Sequence, residues 1–237
     1  WDSARRALRC DERFVPALTA LVKASLRQGR EELAQSILDQ ALAVDDENAE
    51  LHFLKGTMLR GEAGRSGDAL NEFRRAVQLR PDYTDARMAL GLALLAGGNY
   101  QEALQNFQAA ANLAPQLVAV HLNLADAYRA TKQWTKAKQS FDQALRMDAN
   151  LAQAHFNMGL MYMAAGADYP ELDELGALRQ AREEFRRYRD MMGPRLGRND
   201  PSEQYLSDLD RQISRTERRI ERERRRAEME AERGVQE

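Results

Sequence analysis

Two apolar patterns alternate along the chain, and both repeat. In the first, Ala69 is followed four residues on by Phe73, Ala103 by Phe107, Ala137 by Phe141 and Ala181 by Phe185, with starts 34, 34 and 44 residues apart. Ala34 and Leu38 form the same pair 35 residues before Ala69. A third member stands seven residues after each alanine, as Ala41, Ala76, Ala110 and Ala144, with Tyr188 the exception. Pro81 and Pro115 lie five residues beyond it, where a helix must end. In the second pattern, upstream of each alanine, apolar stretches recur at helical spacing: ALTALVKAS, LHFLKGTML, ARMALGLALL, HLNLADAY and HFNMGLMY. Each unit is a helical hairpin that cannot hide its apolar faces alone, so neighbouring hairpins must stack, and the predicted fold class is all-α.

These residues resemble the tetratricopeptide repeats. The family pattern of a large residue, Leu-Gly, Tyr, Ala, Phe, Ala and Pro is best matched by Arg87, Leu90, Gly91, Leu94, Ala103, Phe107, Ala110 and Pro115. The resemblance implies a right-handed solenoid with repeats at 15–48, 49–83, 84–117, 118–151 and 152–195, the last carrying ten extra residues near 167–177. Departures are the lack of Trp at the large first position, Tyr confined to Tyr128 and Tyr162 at its slot, and Asp46 and Ala149 in place of the closing proline. Residues 1–14 fit the second helix of a truncated repeat, which predicts an exposed interface at Trp1, Ala4 and Leu8. Residues 196–237 are expected to form a capping helix that continues as a charged Arg/Glu helix.

In the resembled family, set positions of each first helix line a concave groove that holds an extended peptide or a helix. Transferred to this chain, the groove comprises Phe53, Arg60, Met88, Leu92, Leu95, Leu122, Asn123, Asp126, Arg129, Phe156, Asn157, Leu160 and Met163. Phe53, Met88, Leu122 and Phe156 are the expected anchors, Arg60 and Arg129 orient the ligand, and the Asn123 and Asn157 amides pair with its backbone. Chaperone-type clamps for a terminal carboxylate need Lys and Asn where this chain is mostly apolar, so a clamp is not expected. A strip this apolar exceeds what a lone monomer leaves open, which points to a protein partner.

The insertion GADYPELDELGALRQ places Pro170 where a first helical turn would accept it. The second helix of that repeat is therefore expected to start early and project by up to about 15 Å, making Leu172 and Leu175 candidates for a second contact or, equally, parts of a lobe packed on itself. Farther on, Asp200, Pro201, Ser202 and Glu203 read as a helix start. Leu206, Leu209, Ile213 and Ile220 then make one narrow stripe, so the first half of this helix should lie on the last repeat and the remainder extend into solvent. Between Arg211 and Arg226 there are eight arginines against three glutamates, and Arg215, Arg222 and Arg226 are the candidate contacts there, for an acidic protein surface or, as a rival reading, RNA or another polyanion. No aromatic residue stands among them to stack on a single-stranded base. The long last repeat followed by GPRLGRNDPSEQY and the Arg/Glu helix is also similar to the lipoproteins of bacterial gliding-motility complexes, over residues 166–237. That second resemblance implies cell-envelope partners and a periplasmic or outer-membrane-associated location; a cytoplasmic one stays open.

Composition narrows the function further. The net charge is −2, so no global basic field holds nucleic acid. Thirty of the 35 basic residues are arginine, a bias of GC-rich coding that points to a bacterial source. Cys10 is the only cysteine, which excludes an internal disulfide and a thiolate zinc cluster, and is read as a structural helix residue. No apolar run approaches the roughly 20 residues of a membrane span, and no apolar leader opens the sequence. Phosphate-cradling loops, nucleophile elbows and metalloprotease motifs are absent, the Gly pair in LAGGNY falling in an interhelical turn. No catalytic residue, metal ligand or cofactor is therefore expected, and the chain reads as a non-enzymatic scaffold.

The histidines are the one place where chemistry could enter. His52, His121 and His155 all occupy the fourth position of their repeats, a slot for a large residue packed between two helices. Equivalent positions on adjacent repeats lie roughly 10 Å apart, whereas two nitrogens sharing a zinc must each stand about 2.1 Å from it. No acid stands one turn away on the same helix face, Asp126 being five residues from His121. Packing is thus the expected role, and His121→Phe should fold and keep its partners; binding lost from a folded variant would refute this.

Overall fold

The structure, a computed structural model, describes residues 2–234, with side chains through Glu232; Trp1 and the last three residues lie outside the described residues. The described residues form helices joined by short turns, with no strand among them, and divide into two compact units, Trp1–Pro115 and Gln116–Glu237. In the first unit α1 (Asp2–Cys10) precedes three helix pairs: α2 (Val15–Arg27) with α3 (Glu31–Val44), α4 (Ala49–Gly61) with α5 (Ser66–Leu79), and α6 (Thr84–Ala96) with α7 (Tyr100–Leu113). In the second, α8 (Val118–Ala130) pairs with α9 (Trp134–Met147) and α10 (Ala152–Ala165) with α11 (Glu174–Met192), before the long α12 (Ser202–Gly234).

Four of the five pairs close around one aromatic ring, and the α2–α3 pair closes around Leu38, which is also completely buried. Phe73, Phe107, Phe141 and Phe185 are completely buried, with the alanines four residues before them. Burial of a side chain of this size contributes roughly 1.5–3 kcal/mol. The facing position on the first helix is Gly56, Gly91 and Gly159 in three pairs, and a Cβ built there would come within 2.6–2.8 Å of Phe73, Phe107 and Phe185 respectively. In the α8–α9 pair Ala125 stands at that position, fully buried.

The turns that reverse the chain within a pair are set by one left-handed residue. Gly98 has φ +78°, and the next residue, Asn99, donates its amide back to the Leu94 carbonyl at 2.8 Å, which satisfies the end of α6. Lys132 occupies the same place after α8 with φ +57°, and Gln133 donates to the Tyr128 carbonyl at 2.8 Å. Among the described residues Lys132 is the non-glycine residue held in this conformation, where its Cβ crowds the backbone.

A polar clasp recurs between the helices of a pair. His52 Nδ1 lies 2.6 Å from a Glu72 oxygen and its Nε2 lies 2.8 Å from the Asp46 carbonyl. Arg87 repeats the arrangement, donating to Asn106 at 3.4 Å and to the Pro81 carbonyl at 2.5 Å. In the second unit His155 Nδ1 meets Glu184 at 2.7 Å. Glu72, Asn106 and Glu184 each stand three residues after the alanine of their helix, so the partner comes from the facing helix, not from the histidine's own. Glu184 is buried and also reaches Arg187 at 3.5 Å, as a buried carboxylate must be paired. Burial raises the Glu72 carboxyl, but hydrogen bonds from His52 and Lys55 outweigh it and hold the group below its ordinary value.

Three expectations need correction. Leu8 packs against the Leu18, Val22 and Leu54 cluster and Ala4 is half-buried, because α1 lies on α2; neither forms an open interface. Pro170 sits in a turn, not in a helix: Asp173 caps α11 by accepting the Gly176 amide at 2.6 Å. Ala181 is thus the eighth residue of α11, where Ala103 is the fourth of α7, and the helix starts one turn, about 6 Å, early instead of projecting farther. The inserted residues fold back, with Tyr169 buried 5.1 Å from the Tyr162 ring and Leu172 and Leu175 packed on the same core.

The last helix begins where the sequence places its start. Asp200 accepts the Ser202 amide at 2.9 Å and the Tyr188 hydroxyl at 2.7 Å. Leu209, Ile213 and Thr216 are buried as α12 runs back along α11, tied by Arg182–Asp210 at 3.1 Å, Arg179–Glu217 at 2.7 Å and the Arg219–Glu174 pair. From Arg222 to Glu232 every described side chain is exposed.

Two stability measurements check this account. In urea denaturation, Gly91→Ala should cost about 1–3 kcal/mol by forcing Phe107 aside, whereas Lys132→Gly should gain up to about 1 kcal/mol. The Glu72 carboxyl is lower in the folded than in the unfolded chain. Its contribution is therefore complete above the unfolded value and is lost as pH falls through the folded one. Glu72→Gln should accordingly melt below the wild type at pH 7, and the gap should close in acid.

Candidate partner-binding walls

The residues expected to line a groove all lie on first helices, and the structure treats them unequally. In the first unit Phe53 is half-buried on α4, its ring 6.0 Å from Phe73 and 5.2 Å from Tyr83. The Arg80 guanidinium covers the Tyr83 ring at 3.5 Å, and burial pushes the Tyr83 hydroxyl up to about 12. Phe53 is therefore part of an aromatic cluster and not a free anchor. On α6, Met88 and Leu95 are half-buried and Leu92 is 39% exposed; Arg60, at the end of α4, is exposed.

The wall of the second unit is built from α8 and α10. Leu122, Phe156, Leu160 and Met163 are partly exposed while resting on the unit's core. Phe156 lies 5.4 Å from Phe185, 5.1 Å from Tyr188 and 6.1 Å from Tyr205 of α12, so the last helix covers part of it. Asn123 is half-buried on α8. Asn157, expected to offer its amide to a ligand, is instead 7% exposed and engaged: its Nδ2 donates to Asp126 Oδ2 at 2.7 Å, and its Oδ1 accepts from Gln153 at 2.7 Å. Arg129 Nε donates to the other Asp126 oxygen at 3.3 Å, which ties Arg129 to its own helix. Burial raises the Asp126 carboxyl above its ordinary value, and the Arg129 and Asn157 contacts reverse only part of that.

The remaining candidates fall elsewhere. Arg215, Arg222 and Arg226 are exposed on α12, and no described carboxylate pairs with them; Arg222 Nε donates to the Arg218 carbonyl at 3.1 Å. Cys10 ends α1 and is exposed. His52 and His155 each meet a separate glutamate, and no three His, Cys, Asp or Glu side chains gather among the described residues. No described helix is long and apolar enough to cross a membrane.

Two features escaped sequence reasoning. Tyr205 reaches the wall because it precedes Leu209 by one turn on α12, a placement visible only once that helix is docked. An open cleft of about 740 Å³ in the first unit is lined by Leu26, Met58, Glu31, Glu32, Asp39 and Glu62, acids that are dispersed in sequence and share no motif.

Comparison with known proteins fits this architecture. Residues 58–117 and 94–161 match two tetratricopeptide-repeat family models. No curated protein matches significantly. Among solved structures, YrrB, described as a TPR protein with an unusual peptide-binding site, aligns over 81% of this chain and 93% of its own at 18% identity, with a TM-score of 0.66. MamA from Desulfovibrio magneticus RS-1 aligns over 75% of this chain and 94% of its own at 22% identity, TM-score 0.61. PilF of Pseudomonas aeruginosa aligns over 85% and 91% at 21% identity, TM-score 0.59. The resemblance to gliding-motility lipoproteins gains no support from these matches. What they establish is the architecture: the chain carries tetratricopeptide repeats and has the all-α fold of proteins built from them.

Proposed function

We propose that this chain is a non-enzymatic scaffold that binds other proteins through the exposed faces of its first helices, taking a peptide or a helix. The observation that carries the reading is the partly uncovered apolar surface left on those helices after each pair has closed. Leu92 is 39% exposed between the half-buried Met88 and Leu95, and Leu122, Leu160 and Met163 remain partly open on α8 and α10. Full burial of one such side chain contributes roughly 1.5–3 kcal/mol, so three or four of them support binding near micromolar, about −8 kcal/mol, after association costs. The peptide-binding site named for YrrB, a protein of the same fold, is consistent with this use. The finer reading, a place in a bacterial envelope motility or assembly complex, rests on the resemblance of residues 166–237 alone.

A second reading is favoured by one observation: Arg215, Arg222 and Arg226 stand exposed on α12 without an acidic partner among the described residues. It makes the chain an RNA- or polyanion-binding protein, whose affinity would fall steeply with salt.

Display of random dodecapeptides against the intact chain separates the two. The wild type should enrich apolar sequences, and Leu92→Glu, at a site exposed enough to spare the fold, should weaken those that bind the first unit about tenfold with an unchanged thermal melt. Reversal of Arg215, Arg222 and Arg226 should leave peptide binding intact. Equal recovery on wild type and Leu92→Glu, together with binding lost only on arginine reversal, would transfer the function to α12.

A further inference from the structure

We propose that the wall formed by α8 and α10 receives a lysine or arginine side chain of its peptide partner, seated on Asp126. The proposal rests on the reading of first helices as binding walls and names the chemistry that one of them selects.

Asp126 is the acid set within the apolar part of this wall, one turn beyond Leu122 on α8 and joined to α10 through Asn157. Its side chain keeps 18% of its exposure, so a ligand can reach it. A carboxylate has about four acceptor positions, and the chain supplies donors to two: the Asn157 amide at 2.7 Å and Arg129 Nε at 3.3 Å, the latter long for a charge-assisted bond. Arg129 stands three residues along the same helix, and its side chain keeps 31% of its exposure, which leaves part of its charge to water.

Asn157 offers a neutral dipole whose oxygen is already taken by Gln153. The site therefore holds a desolvated negative charge that its neighbours compensate incompletely, and its raised carboxyl records that imbalance. A cation brought by a ligand would complete the pairing, while its aliphatic stem would lie along Leu122 and Leu160. A metal ion would need further ligands, and no group of three His, Cys, Asp or Glu side chains is present among the described residues. The network also links α8 to α10, so a purely structural role is the competing account.

Asp126→Asn separates the accounts, because asparagine keeps an acceptor for Asn157 and removes only the charge. With the folded value raised above the unfolded one, the ionised carboxylate opposes folding as pH rises through the folded value. Asp126→Asn should therefore melt at or above the wild type at pH 7 and converge with it in acid. A structural ion pair would give the opposite sign.

In peptide display on the intact chain, the wild type should enrich Lys or Arg at one fixed position beside apolar residues. Asp126→Asn should abolish that enrichment and weaken a selected basic peptide about tenfold, while the same peptide with norleucine at that position binds both forms alike. Asn123→Trp, which places a bulky ring on the same wall, should block both peptides. If Asn123→Trp blocks peptides that show no basic preference, or that bind Asp126→Asn as well as wild type, the wall remains a binding site and the role given to Asp126 is overturned. If no peptide is sensitive to Asn123→Trp, the binding wall of this unit falls and the proposal with it.

Discussion

A phenyl ring resting on a helix backbone sets the spacing within the helix pairs. Phe73, Phe107 and Phe185 press against Gly56, Gly91 and Gly159 so closely that even a methyl group would collide with the ring. The glycines cost helix propensity, roughly 1 kcal/mol each against alanine, and that loss is offset by the complete burial of the rings. With the second helix drawn in on one side, each first helix hides that face and leaves another less covered. The partly open Met88, Leu92, Leu122 and Leu160 follow from this division of faces.

The polar groups inside the pairs obey the same geometry. A helix position wide enough for a large residue is filled by His52 or Arg87, which reaches back six residues to the Asp46 or Pro81 carbonyl and across to the second helix. His52 thus joins the inter-pair turn to a glutamate of the second helix, and Arg87 joins the equivalent turn to an asparagine in the neighbouring pair. Interchange of imidazole and guanidinium at one structural place argues for hydrogen bonding as the common role.

What could be read from the sequence was whatever recurs. The Ala–Phe–Ala spacing exposed the helix pairs because the same packing position recurs in successive second helices, and the Gly pair at 97–98 marked a turn because a left-handed residue is needed there. Contacts made once left no period. Tyr169 and Tyr205 cover Tyr162 and Phe156 from segments outside the regular pattern, and Pro170 fitted a helix start until Asp173 proved to be the cap. The glutamate partners carry no local signal for a different reason: Glu72 and Glu184 lie 20 and 29 residues from their histidines, on the facing helix, outside the face that carries the histidine. Asn157 looked free for a ligand since its link to Asp126 spans 31 residues and joins two successive first helices.

The last helix shows how far such packing extends. Through Thr216 it has an apolar stripe to bury, and three ion pairs fasten it along α11 as far as Glu174. Past that point α11 has ended, Ile220 is 40% exposed, and the remaining turns draw support from pairs within the helix such as Arg225–Glu221 at 2.7 Å and Arg224–Glu228 at 3.2 Å. Each such exposed pair contributes little and weakens with salt, against the much larger burial that fixes the first half. The helix thus passes from a docked cap to an arginine-bearing rod whose charges face solvent, while the partly exposed apolar residues of α8 and α10 rest on the packed core of their unit.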